Sequence, residues 1–137
     1  MRLDVTRRTD LAARALITLA RHDRRMKAPE LAELLDSTAG FLPQVLGPLV
    51  AQGWVRSDPG PTGGYQLRVP LAEISVLDVV EAIEGPTDSG RCVLAGGPCQ
   101  QSDHCALHVP WQRARQLLLA ELGATPLSEV PIPARQR

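Results

Sequence analysis

Three features of the sequence predict a mainly α-helical fold carrying one small β-hairpin. Apolar residues recur at helical spacing over 8–21, 29–35 and 41–50, the period falls to about two around a Gly/Pro-rich turn at 54–67, and helical spacing returns after Ser75. With 137 residues, 44% of them hydrophobic and 22% charged, the chain can hold one full core and is too apolar for disorder throughout. No apolar run approaches the roughly 20 residues of a membrane helix. Arg2, Arg7, Arg8 and Arg14 are spread through the first fourteen positions, unlike a secretory signal. A cytoplasmic protein with no membrane partner is expected.

The first helix places Leu11, Ala12, Ala15, Leu16, Leu19 and Ala20 on one stripe, with Thr9 available near its start. Pro29 suits the first turn of a second helix through Leu35, and Asp36-Ser37-Thr38 offers caps for a third. That third helix carries Phe41, Leu42, Val45, Leu46, Leu49 and Val50, and Gly53 stands where a glycine would end it. Pro43 is tolerable near its start, whereas Pro48 is expected to remove a backbone hydrogen bond and kink it. One longer helix followed by two short ones is the order of a helix-turn-helix. Trp54-Val55-Arg56 and Tyr65-Gln66-Leu67 flank the turn residues 58–64 as a short hairpin, the wing. Ser75 with Asp78 three residues later forms a capping box, and Gly85-Pro86 ends the helix that follows. From Gly85 to Pro98 the chain is rich in Gly and Pro and needs something other than its own core to hold it. Pro110 is expected to open a last helix with Trp111, Ala114, Leu117, Leu118 and Leu122 on one side, more apolar surface than a small winged unit needs to cover. Dimerisation or intramolecular packing would cover it. The predicted division is 1–84 winged helix-turn-helix, 85–109 cysteine-bearing loop, and 110–137 long C-terminal dimerisation helix with a tail that frays after Val130.

Net charge is zero, but residues 1–27 carry eight basic side chains against three acidic ones, so this end is +5 and the remainder −5. A basic patch at one end fits contact with phosphate or a plainly solvated helix face. Aromatic residues make up 3% of the chain, too few for the stacking platforms of single-strand binders, so double-stranded DNA is the expected partner. Cys92, Cys99 and Cys105 fall within fourteen residues of the loop and its exit. Three thiols cannot pair off internally, and clustered thiols in a loop of this composition read as a metal site. The spacings C-x6-C and C-x5-C are wider than zinc knuckles and could wrap an iron–sulfur cluster, with zinc or unmetallated redox thiols as alternatives. No Ser/His/Asp arrangement, phosphate loop or paired carboxylates emerges, so an enzyme is not expected.

The wing residues Gly63-Gly64-Tyr65-Gln66-Leu67, the helix Ile74-Ser75-Val76-Leu77-Asp78-Val79-Val80-Glu81-Ala82-Ile83-Glu84-Gly85 and the cysteine trio, in that order, resemble the iron–sulfur winged-helix regulators of the IscR and NsrR type, the Rrf-two family. The resemblance runs from Met1 to about Val130. It implies a homodimeric transcriptional regulator that binds a palindromic promoter site and senses nitric oxide, redox stress or iron–sulfur status, most simply as a repressor. It also implies Cys92, Cys99 and Cys105 as cluster ligands. Thr9-Asp10-Leu11-Ala12 is similar to the family's helix start whose aspartate completes a [4Fe-4S] cluster from the partner subunit, which puts Asp10 first as fourth ligand. Cys105-Ala106-Leu107-His108 is similar to the Cys-x2-His that completes a [2Fe-2S] cluster, which makes His108 the alternative; His104 is also within reach. Expected DNA contacts are Arg2, Arg7, Arg8, Thr38, Gln44, Arg56 and Tyr65. The chain departs from the family in a first cysteine gap one residue longer, absorbed by Gly96-Gly97, and in Gly40, Phe41, Pro43 and Pro59 where polar base readers and a wing arginine are usual. An iron–sulfur electron carrier or assembly partner on the same fold, or a zinc-stapled DNA-binding protein, is the rival reading.

Overall fold

A computed structural model describes residues 1–94, 97 and 105–131. Among them run α1 (Arg7–His22), α2 (Ala28–Leu35), α3 (Leu42–Ala51), the strands β1 (Val55–Asp58) and β2 (Gly64–Leu67), then α4 (Val76–Glu84) and α5 (His108–Gly123). This is the mainly helical, winged helix-turn-helix arrangement that the sequence predicts. No helix among the described residues is long and apolar enough to cross a membrane.

Helix α1 is the spine. Leu11, Ala12, Ala15, Leu16 and Leu19 are buried on it, and α2, α3, α4 and β2 pack around it, contributing Leu31, Leu35, Leu42, Val45, Leu46, Leu49 and Val79 to one core. Its start differs from the expectation. Thr6, not Thr9, is the N-cap, its hydroxyl accepting the Thr9 N–H at 3.2 Å. Thr9 is buried, and its own hydroxyl donates to the Glu84 carboxylate at the end of α4.

Thr38 caps only the turn before α3, accepting the Phe41 N–H at 3.2 Å, and Asp36 closes α2 in a left-handed conformation (φ 54°). The expected use of Asp36-Ser37-Thr38 as caps on α3 is therefore corrected. Pro43 is accommodated in the first turn of a helix, which sets the start of α3 at Leu42. Pro48 sits inside α3 without breaking it. The helix ends in a Schellman arrangement, with Gly53 N–H on Val50 O at 2.9 Å, Trp54 N–H on Leu49 O at 3.1 Å and Gly53 at φ 79°.

The wing pairs Val55 with Leu67 through Asp58 with Gly64 in antiparallel register. Met26, in the α1–α2 connection, exchanges two 2.8 Å backbone hydrogen bonds with Tyr65, so the wing rests on the helical unit. Gly64 (φ 135°) makes this approach feasible, because a Cβ there would lie 2.5 Å from the Met26 carbonyl oxygen.

The capping box at α4 forms as read, with Asp78 N–H on Ser75 Oγ at 3.0 Å and Ser75 N–H on Asp78 Oδ2 at 2.8 Å. Helix α5 starts at His108, two residues before the expected Pro110, which falls in the first turn where a missing N–H costs no helical bond. Its phase also differs. The partly buried side is His108, Trp111, Arg115, Leu119 and Leu122, while Ala114, Leu117 and Leu118 face outward, Leu117 at 64% exposure. Of the expected stripe, Trp111 and Leu122 turn toward α4 and the loop, while Leu117 and Leu118 stay exposed. Past α5 the chain returns to the winged unit. Leu127 donates its N–H to Ile74 O at 2.8 Å and buries its side chain in the core. Of the segment expected to fray after Val130, residues 132–137 lie outside the described residues.

Candidate nucleic-acid interface and cysteine pocket

In a helix-turn-helix the second helix meets the major groove, and here that helix is α3. Gln44 is exposed in its first turn, as expected. Thr38 is exposed but lies outside the helix, on the turn ahead of it. Arg7 and Arg8 are the first two residues of α1, both exposed and without an ion pair among the described residues. Two cations at the positive end of a helix dipole are locally unfavourable, and a phosphate there would gain from the charges and the dipole together.

The +5 segment is less basic in three dimensions than in sequence. Arg2 pairs with Asp4 at 3.2 Å, Arg14 with Asp10 at 3.0 Å, Arg24 with Glu30, and Arg25 with Asp58 at 3.0 Å. The Arg24 hydrogen bond holds the Glu30 carboxyl below its ordinary range. Arg56 on β1 also reaches Asp58, at 3.1 Å, so one carboxylate lies between two guanidinium groups and the base of the wing stays net positive. Arg25 further donates to Thr62 O at 3.0 Å and ties the wing turn to the α1–α2 connection. Tyr65, expected at the DNA surface, is half-buried and packs against the core, where it seats the wing.

The loop after α4 folds back onto α5. Cys92, Cys105 and His108 line one cavity of about 140 Å³ together with Asp88, Arg91, Trp111 and Arg115. Arg115 pairs with Asp88 at 3.4 Å, Asp88 accepts the Gly90 N–H at 3.0 Å, and Glu81 accepts the Thr87 N–H at 2.7 Å. Cys92 N–H donates to Gly97 O at 2.7 Å, and Cys105 O accepts the His108 N–H at 3.0 Å. Two thiols and an imidazole form a donor set suited to a soft metal centre. Among the described residues no three His, Cys, Asp or Glu side chains are grouped as a metal site, and Cys99 and His104 lie outside those residues. Asp10 is not at this cavity; both its carboxylate oxygens accept from Arg14 Nε at 3.0 Å.

Comparison with known proteins fits this geometry. The family model described as "Rrf2: Iron-dependent Transcriptional regulator" matches residues 5–131. The chain belongs to the Rrf2 family. Over 121 residues, 87% of the chain and 73% of the relative, it is 30% identical to the HTH-type transcriptional regulator IscR of Xenorhabdus nematophila. The fold is similar to Staphylococcus aureus CymR (TM-score 0.69, 28% identity, 93% of this chain and 100% of that one) and to T. potens IscR (TM-score 0.72, 22% identity, 93% and 85%). As an Rrf2 protein it is a DNA-binding transcriptional regulator and not an enzyme.

Sequence reasoning missed Arg25, Asp58, Glu84, Asp88 and Arg115. Each acts through a partner distant in the chain, such as Glu84 with Thr9, and no local pattern announces such pairs. Trp111 and Arg115 stand three and seven residues after His108, so a helical wheel centred on His108 would have found that face.

Proposed function

We propose that this Rrf2 chain is a homodimeric, iron–sulfur-dependent repressor that binds a palindromic promoter site and responds to nitric oxide, redox stress or iron–sulfur status. The observation that carries the reading is the cavity shared by Cys92, Cys105 and His108 on a winged helix-turn-helix. Cys92, Cys99 and Cys105 would hold the cluster. His108, already at the cavity, serves as the fourth donor on one subunit; Asp10 would instead have to reach it from the partner subunit, giving the [4Fe-4S] rather than the [2Fe-2S] alternative. When bound, the cluster supplies thiolate-ligated iron that reacts with nitric oxide and oxidants.

The chain's own residues supply the path to DNA. Glu84, immediately before the loop, accepts from the Thr9 hydroxyl and from the Thr6 N–H at 3.3 Å, at the start of the helix that presents Arg7 and Arg8. A loop held differently by its cysteines shifts Glu84 and with it the phosphate-facing end of α1. Leu117 and Leu118, exposed on α5, supply an apolar face for a second copy, and a two-fold pair of α3 helices would read a palindrome with half-sites about 34 Å apart. The test is the visible absorption and iron content of anaerobically purified protein. Wild type is expected to carry both, and Cys92→Ala, Cys99→Ala and Cys105→Ala each to lose them; undiminished iron in all three would remove the cluster from this reading. Between the fourth donors, His108→Ala and Asp10→Ala are separated by which one leaves the cluster labile to oxygen.

A further inference from the structure

Helix α3 has ten residues and one side chain able to hydrogen-bond, Gln44. It carries no charge, and its exposed positions are Pro43, Gln44, Gly47 and Ala51. The Gln44 amide makes no side-chain hydrogen bond to any described residue and is presented outward. Gly47 is set mid-helix, where glycine is poorer than alanine. Its φ is not in the left-handed region, and beyond its own stretch of helix backbone a Cβ there would meet no atom within 4 Å. Neither backbone conformation nor packing within the chain asks for glycine at this position.

The inventory is selective on duplex DNA. Guanine is read by the paired donors of Arg or Lys and cytosine by a carboxylate, and α3 has none of these. Adenine is read by the amide of Gln or Asn through N6 and N7, and the thymine methyl by apolar surface. We infer that α3 reads A·T pairs. Gln44 Oε1 accepts from adenine N6–H and Gln44 Nε2 donates to N7, while thymine methyls enter the space that Gly47 leaves between Pro43 and Ala51. The inference rests on the DNA-binding reading and deepens it by naming the base pairs recognised. Arg7, Arg8 and Lys27 supply phosphate attraction, which carries no base identity.

The test selects duplexes from a random pool with the full-length protein and identifies the positions whose preference Gln44→Ala relaxes. Those positions are expected to be A·T. Replacing their thymines singly by deoxyuridine, which lacks only the methyl, should weaken binding about fourfold each, the worth of one buried methyl group. Gly47→Ala should raise the melting temperature, because its new methyl has free space and better helix propensity, yet weaken binding to the selected site by about tenfold. G·C pairs at the Gln44-dependent positions, or deoxyuridine and Gly47→Ala both without effect on affinity, would overturn the inference and leave DNA binding standing. Enrichment of no duplex at all would overturn the DNA-binding reading and this inference together.

Discussion

The DNA-facing half of the molecule and its cysteine loop are stabilised in opposite ways. Helix α3 and the wing rest on a shared apolar core: Leu42, Val45, Leu46 and Leu49 from the helix and Val55 from β1 are all buried, and backbone pairing joins Tyr65 to Met26. Among its described residues, the loop from Gly85 to Leu107 contributes none to that core. Polar tethers hold its described part, Thr87 to Glu81, Asp88 to Arg115 and the Cys92 N–H to Gly97 O. A surface that must present side chains in fixed register suits the first construction, and a segment meant to change its state suits the second.

The contrast can be broken or sharpened by substitution. The largest effect belongs to the core: Leu46→Ala should cost about 2–5 kcal/mol in denaturant unfolding. Next is Gly64→Ala, which places a methyl against the Met26 carbonyl in a backbone region unfavourable to L side chains. It should lower stability by about 1–3 kcal/mol, and wing-dependent DNA binding should fall with it. In the loop, Arg115→Ala breaks a pair whose members are 23% and 52% exposed and should cost at most about 1 kcal/mol. Hydrogen exchange at 86–94 should quicken while α3 is unchanged; a large global loss of stability would erase the distinction between the two regions.

The smallest effect concerns Glu30. Its carboxyl is held below the ordinary range mainly by the Arg24 hydrogen bond. Such a group contributes stability above its unfolded pKa and loses the contribution as pH falls through the folded one. Because the pair is exposed, Glu30→Gln should hardly move the melting temperature at neutral pH, and the small difference from wild type should vanish on acidification.

Where structure follows from neighbours in sequence, it was legible. The Ser75–Asp78 capping box, the glycine stop at Gly53 and the core stripe of α1 all depend on residues within a few positions of one another. Misreadings arose where distant contacts decide. Thr9 has the composition of a cap but is drawn inward by Glu84, 75 positions away. The partly buried side of α5 is turned toward α4 and the loop, and Arg25, one of the eight basic residues of the N-terminal segment, is used by Asp58. The candidate site divides in the same manner. Clustered thiols flagged the loop, and the fold brings Cys92, Cys105 and His108 to one cavity, whereas Thr38, expected among the DNA contacts, stands on the turn ahead of α3, which starts only at Leu42.

The central claim is that the state of the cysteine loop alters DNA binding through the start of α1. It is tested most directly by comparing, under anaerobic conditions, the affinity of metal-loaded and metal-free protein for one selected operator, with the visible spectrum followed in the same sample. The account predicts at least about a tenfold difference, within the usual range of allosteric coupling, and a smaller one in Glu84→Gln, which weakens the tie to Thr6 and Thr9. Equal affinities for the two states of the wild-type protein would contradict it.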